Sequence, residues 1–405
     1  MAGFDQQRLG RIADWMQGYV DARKLPGASV LILQDGLEAY FHQTGLRDVA
    51  AHLPFERDTV ARIYSMTKPV TSVALMMLLE EGRIHLDQPL SDILPEFAEC
   101  RALVQGATRI DQTKPCAVPT LHQCLTHTAG FSYPFNPGVL PDEMAARKLV
   151  FSARSGSLAE RTAELSTLPL AFPPGERWEY SVGIDVIGRV VEAVSGQSLD
   201  RFFADRIIGP LGMRDTAFTV PMDARDRFAC LYTPLAGDAM EFNAAEKSSE
   251  TLRLTDRSDK SPYLDAQTFS GGGGLVGTID DYMKFAEMLR RGGSIGGDRL
   301  LSPHTLSFMM RNHLRGDIAS MGPTSFAEQP MDGMGFGIGG AVVLDPGRAR
   351  CPGSVGDFSW GGMASTFFWV DPVHALSVVF FTQLSPSSSY PVRPQLKALI
   401  HGALQ

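Results

Sequence analysis

Cysteine is scarce and unorganised in this chain: Cys100, Cys116, Cys124, Cys230 and Cys351 are the only five, and no two form a C-x-x-C pair. An odd, scattered set excludes a disulfide framework and reads as reduced thiols, the usage expected of a cytoplasmic protein. Long apolar stretches are missing too. No run reaches the roughly 18 residues a membrane span needs, and Met1 to Leu9 lack a basic segment followed by an apolar one, so neither secretion nor a membrane partner is expected. The net charge of −8 comes without any basic tract, which argues against a nucleic-acid partner. His122, Cys124 and His127 are close in sequence but have no second cluster at metal-ligand spacing, so no metal is expected. What the chain does have is length and apolar content. With 405 residues, 44% of them hydrophobic, it can bury a full core without a metal or disulfide staple.

The most informative stretch is Ser65-Met66-Thr67-Lys68. A hydroxyl and an amine three residues apart on a helix share one face, with Cβ atoms roughly 5–6 Å apart, close enough for proton exchange. The residues that follow, Pro69 to Leu79, are apolar on nearly all sides and close at Gly82, as a buried helix should. Ser65 is therefore expected at the N-terminal end of that helix, with Pro69 in the first turn. Unpaired amides and the positive end of the helix dipole favour an alkoxide or oxyanion there. The alternative is an ordinary helix start with a surface lysine.

Around this stretch the periodicities divide the chain. Leu9, Ile12, Ala13, Met16 and Val20 predict an amphipathic helix over about residues 6–22, and two strands follow, residues 28–33 and 37–41, turned by Asp35-Gly36. From Ser65 to about Leu211 the pattern is mostly helical, including residues 182–194 and 199–208. Residues 223–268 are polar and aperiodic, which suggests a mobile cover over a pocket. Strand character returns over residues 336–344, 365–370 and 375–382, and a helix-compatible segment, 392–404, ends the chain. The expected fold is α+β: an antiparallel sheet flanked by helices and built from both chain ends, with an inserted, mainly helical region. The implied division is 1–85 with 270–405 against 86–269, with the active site between them.

The chain also resembles a known family. Ser65-x-x-Lys68 is similar to the first motif of the serine β-lactamase and penicillin-binding-protein superfamily. Residues 125–131 (Leu-Thr-His-Thr-Ala-Gly-Phe), 172–181 (Phe-Pro-Pro-Gly-Glu-Arg-Trp-Glu-Tyr-Ser), 209–216 and 270–276 resemble segments of its class C branch, in the same order. The resemblance runs from about residue 26 to 384. It places Tyr180 at the branch's catalytic tyrosine and Trp360-Gly361-Gly362 where β-lactamases carry Lys-Thr-Gly. Val182 and Trp360 depart from the usual asparagine and lysine. The set is similar to the family VIII carboxylesterases, which implies a β-lactamase/transpeptidase-like fold turned to ester hydrolysis without a cofactor.

By that resemblance Ser65 is the nucleophile, Lys68 and Tyr180 move its proton, and the amides of Ser65 and Met363 form the oxyanion hole. Trp360, Gly361 and Gly362 line the substrate site. An indole has one N–H donor and no charge, so Trp360 in place of lysine points to small, neutral, short-chain acyl esters, with slow cephalosporin cleavage as a side activity. The alternatives are a β-lactamase, a D-amino-acid amidase or peptidase, an acyltransferase, or a binding protein of this fold without turnover. Two other patterns are set aside. Gly292-x-Ser294-x-Gly296 follows a helix-like run rather than a strand, so it reads as a loop and not a nucleophile elbow. Asp185 reads as a charge on a helix surface. Natural substrate and oligomeric state are not legible.

Overall fold

The computed structural model describes residues 3–237, 246–326 and 329–405. Its centre is an antiparallel sheet of eight strands, five from the C-terminal part of the chain and three from the N-terminal part. In chain order these are β1 (Gly27–Gln34), β2 (Leu37–Asp48), β3 (Leu53–Pro54), β4 (Met334–Phe336), β5 (Ala341–Val343), β6 (Phe358–Gly361), β7 (Phe367–Asp371) and β8 (Leu376–Thr382). Across the sheet the order is β4-β5-β6-β7-β8-β1-β2-β3. The two chain ends meet where β1 pairs with β8, with Val30 opposite Phe380 and Ile32 opposite Val378.

Strands β7 and β8 are buried along their whole length, because both faces of the sheet are covered. Alternation decides which side chain goes where. Phe367, Trp369, Val378 and Phe380 face one core with Ile12 and Met16 of α1 (Gln6–Asp21) and Leu396 and Ile400 of α5 (Val392–His401). Phe368, Val370, Val379 and Phe381 face the larger core with α2 (Thr67–Glu80) and α4 (Ile279–Arg290). Helix α3 (Gly183–Ser195) packs on the far side of α2. Every residue of α2 from Thr67 to Leu78 is buried. A helix enclosed on all sides has no polar stripe to keep wet, which is why its sequence shows no amphipathic period.

The expected elements at the chain ends are present, with the Asp35-Gly36 turn between β1 and β2. Two expectations change. The run 336–344 is not one strand: Gly337 to Gly340 form a reversal between β4 and β5, with Gly339 at φ +84°. The polar stretch 223–268, of which 238–245 lie outside the described residues, contains the short strand pair Leu231–Thr233 and Arg253–Asp256. None of its described residues lines the main cavity, so the cover expected there is not what walls it.

The β4–β5 reversal also fixes α2. A Cβ placed on Gly339 would lie 2.2 Å from Ser72 Oγ and 3.3 Å from the Lys68 carbonyl oxygen. Only glycine tolerates both that approach and the positive φ. Gly339→Ala should lower unfolding stability by about 1–3 kcal/mol in urea titration, and a wild-type midpoint would show that α2 yields freely at this contact.

Candidate active site

Ser65 sits in a single 3₁₀ turn, Tyr64–Met66, that runs directly into α2. Tyr64, just before it, has φ +42°, a conformation that costs energy for a residue with a side chain and is held by its surroundings. Ser65 is half-buried and lines the cavity, whereas Lys68 is completely enclosed. Their sequence spacing is realised as a contact: Lys68 Nζ donates to Ser65 Oγ at 3.2 Å. Tyr180, 115 residues further on, is hydrogen-bonded through its hydroxyl to the same Ser65 Oγ at 2.6 Å. The amine also lies 4.7 Å from the centre of the Tyr180 ring.

An ammonium has three protons to place, and burial makes leaving one unpaired costly. Here each meets an oxygen. Besides Ser65 Oγ, Lys68 Nζ donates to the Tyr133 hydroxyl at 2.9 Å and to the Gly272 carbonyl at 2.6 Å. Asp185 stands behind them, with Oδ1 accepting from the Ser270 hydroxyl and from the Gly272 amide at 2.9 Å. Its Oδ2 lies 3.5 Å from the Tyr133 hydroxyl, a long contact. Burial raises the Asp185 pKa, and the Lys68 charge opposes that shift. Burial, then the charge of Asp185, holds the Tyr133 hydroxyl well above its ordinary pKa, so it keeps its proton.

Asp185 is thus not on the surface but 1% exposed, which overturns the expectation for it. It occupies the face of α3 that meets the Gly271-Gly272 backbone, where glycines leave room for a carboxylate. A Cβ on Gly272 would lie 2.1 Å from Asp185 Oδ2. Its signal in the sequence was being the one acid in the otherwise apolar start of a helix, Val182 to Gly188. Tyr133 was missed because its loop carries no period. The motif over residues 125–131 ends two residues before it, at Phe131.

His127 supports Tyr180 from behind. Its ring packs edge-on to the tyrosine at 4.9 Å between centroids, and its Nδ1 is paired with Ser181 Oγ at 3.1 Å. Burial, then the nearby Lys68 charge, pushes its pKa well down, so this histidine is neutral. The neighbouring His122 pairs with His313 at 3.1 Å.

The cavity before Ser65 has a volume of about 950 Å³. Its aromatic wall is made by Phe135, Trp178, Tyr180, Phe326 and Trp360. Trp360 stacks on Phe326 at 5.9 Å and lies 5.5 Å from the Tyr180 ring. Its indole N–H has no partner among the described residues. Gly361, Gly362 and Met363 continue the wall at the end of β6. A Cβ on Gly362 would lie 2.2 Å from the Ile63 carbonyl oxygen, so the glycine lets the strand end press on the segment that carries Ser65. Met363 lies in the turn that follows, and its amide donates no hydrogen bond among the described residues. The Gly292–Gly296 motif lies after α4, in a small two-stranded turn with Ser294 paired to Arg299, as its reading as a loop requires.

A serine hydroxyl held by a buried lysine and a tyrosine, at the mouth of an enclosed helix beside this sheet, defines a serine hydrolase of β-lactamase-like fold. The chain belongs to the Beta-lactamase family, whose model matches residues 12–402. It is 35% identical over 375 residues to Protein Rv1367c of Mycobacterium tuberculosis, covering 91% of this chain and 88% of that one. It is 32% identical over 369 residues to Esterase EstB of Burkholderia gladioli, covering 89% and 86%. A similar solved structure is that of EstCE1, described as a hydrolase with promiscuous acyltransferase activity. That structure has a TM-score of 0.77 and 29% identity, covering 98% of this chain and 99% of the other. No helix of the described residues is long and apolar enough to cross a membrane, and all five cysteines are free.

Tyr133→Phe removes one of three acceptors from the buried amine while keeping the ring. It should lower kcat/KM for p-nitrophenyl butyrate by about 10- to 100-fold and lower Tm by a few degrees, because the buried ammonium loses an acceptor, and unchanged kinetics would reduce Tyr133 to packing.

Proposed function

We propose that the protein is a serine carboxylesterase of the family VIII type, cleaving short-chain acyl esters through an acyl-Ser65 intermediate. The observation that carries this reading is the convergence of Lys68 Nζ and the Tyr180 hydroxyl on one oxygen, Ser65 Oγ, which faces an aromatic cavity. As Ser65 Oγ attacks the ester carbonyl, its proton passes to Tyr180 Oη, the nearer of the two groups, while the Tyr180 hydroxyl gives its own proton to the leaving alkoxide oxygen, so the phenol relays one proton and is left unchanged. The Lys68 ammonium, already committed to Tyr133 and Gly272, stabilises the negative charge that develops on Ser65 Oγ as its proton leaves. The tetrahedral oxyanion is held by the amides of Ser65 and Met363, brought to the same end of the cavity by the contact of Gly362 with Ile63. Water admitted to the cavity resolves the acyl-enzyme by the same steps in reverse.

The similarity to Esterase EstB supports ester hydrolysis. Trp360 supports it as well: a partnerless indole on the wall offers an acyl chain apolar contact and gives a β-lactam none of the charge of a lysine. The same acyl-Ser65 can be resolved by an alcohol in place of water. The acyltransferase activity described for EstCE1 and the breadth of the cavity favour such acyl transfer as a secondary reaction.

Ser65→Ala should abolish hydrolysis of p-nitrophenyl butyrate and labelling by a fluorophosphonate, with the fold unchanged by circular dichroism. Lys68→Ala and Tyr180→Phe should each lower the acylation rate by about 100-fold or more. Wild-type turnover in Ser65→Ala would reject the nucleophile.

A further inference from the structure

We propose that Asp371, His374 and His401 form a site for a divalent transition metal, zinc by the chemistry of its donors, that staples the turn after β7 to the end of α5. None of the three lines the cavity before Ser65, so the inference does not rest on the esterase reading. Asp371 is the last residue of β7, His374 stands in the turn before β8, and His401 closes α5. One donor atom from each of the three lies within 4.8 Å of the other two.

The turn holds its two donors ready. Asp371 is completely buried, and its Oδ1 accepts from the amides of Val373 and His374 at 2.8 and 3.1 Å, which fixes the carboxylate. Its Oδ2 lies 2.9 Å from His374 Nδ1 and accepts from Ser354 Oγ at 2.7 Å, and Ser354 Oγ is itself 3.1 Å from that nitrogen. Adjacent ligands on a zinc ion, with bonds of about 2.0–2.2 Å, stand roughly 3–3.5 Å apart, so these three atoms are close to the spacing of one coordination shell. His401 completes the set from the helix. Its ring centre is 5.9 Å from that of His374, and its Nε2 is buried with no hydrogen-bond partner among the described residues. An imidazole nitrogen taken out of water without a partner is costly, and a bound metal ion removes that cost.

The charges ask for a cation as well. Asp371 brings a buried carboxylate, and the last turn of α5 brings the negative end of a helix dipole to the same place. The nearby Lys397 ammonium is engaged elsewhere, by Asp357 Oδ2 at 3.0 Å. Two imidazoles and a carboxylate, with Ser354 Oγ or a water as the fourth ligand, suit zinc and not calcium or magnesium, which take oxygen ligands. His374 is 37% exposed, which gives the ion a path from solvent. Trp369, Leu396 and Ile400 share one core beneath the site, so a metal there fastens the C-terminal helix to the sheet. The expectation of no metal rests on His122, Cys124 and His127, a different set. The structure pairs His122 with His313 and His127 with Ser181, whereas His401 follows His374 by 27 residues, too far to read as a motif.

Protein purified without a histidine tag and stripped with EDTA can be titrated with Zn2+ against a chromophoric chelator. One equivalent should bind with a Kd of about 1 μM or tighter, and Tm should rise by about 3 °C at a metal concentration about 100 times Kd. His374→Gln and His401→Gln should each weaken binding by about tenfold or more, with hydrolysis of p-nitrophenyl butyrate unchanged. His122→Gln, which breaks the other histidine pair, should leave the affinity as it is. Absence of a stoichiometric site, wild-type affinity in both variants, or a loss caused by His122→Gln overturns the proposal. Wild-type protein gives the same test without depending on how the variants fold: diethyl pyrocarbonate, read by peptide mass, should modify His374 more slowly once one equivalent of Zn2+ is bound, and equal modification with and without the metal overturns the site.

Discussion

The site is organised by the complete burial of one amine. Lys68 has no exposed surface, and an ammonium removed from water must find an oxygen for each proton or lose several kcal/mol. The three acceptors come from separate parts of the chain: Ser65 from the same helical start, Tyr133 from the inserted region, and Gly272 from the return toward the sheet. Asp185 supplies the compensating negative charge one layer back, and is itself held by Ser270 and the Gly272 amide. Satisfying one cation therefore pins the inserted region against α2. Orientation of Ser65 follows, because the amine that needs acceptors is also the group that holds the hydroxyl.

The sheet sets the other half of the geometry, through backbone rather than side chains. At Gly339 the β4–β5 reversal touches α2 one turn beyond Lys68, and at Gly362 the end of β6 touches Ile63 two residues before Ser65. Both contacts require a missing Cβ. They fix the helix start from two sides, so the distance between the Ser65 amide and the Met363 amide is a property of the packed sheet, and neither residue has to be held by its own side chain. Preorganised donors of this kind need no rearrangement as charge develops.

Much of this is legible in the sequence. The S-x-x-K spacing gave Ser65 and Lys68, since helical period is local, and the all-round apolar run after it reported that the helix is buried. Tyr180 was legible only through the resemblance, because nothing local distinguishes it from an aromatic beside a helix. Tyr133 and Asp185 were not found. Tyr133 acts from an aperiodic loop, and its role depends on a contact across 65 residues of sequence. Asp185 was misread because a lone acid on a helix is usually solvated; the clue was the apolar company on both sides. The run 336–344 misled for a related reason: glycines in a strand-like stretch mark either a bulge or a reversal, and only the partner strands decide between them.

The loss of the third-motif lysine has a structural consequence beyond charge. A flexible ammonium on β6 would need water or a counter-ion beside it, and would keep that wall polar. With Trp360 there, the wall closes into a stack with Phe326 and Tyr180, and Phe336 meets the indole edge-on at 5.2 Å. That stack packs on the ring of Tyr180 while His127 meets it edge-on, so several aromatic contacts hold the tyrosine as its hydroxyl reaches Ser65. The substitution that removes a substrate contact thus strengthens the support of the proposed proton carrier.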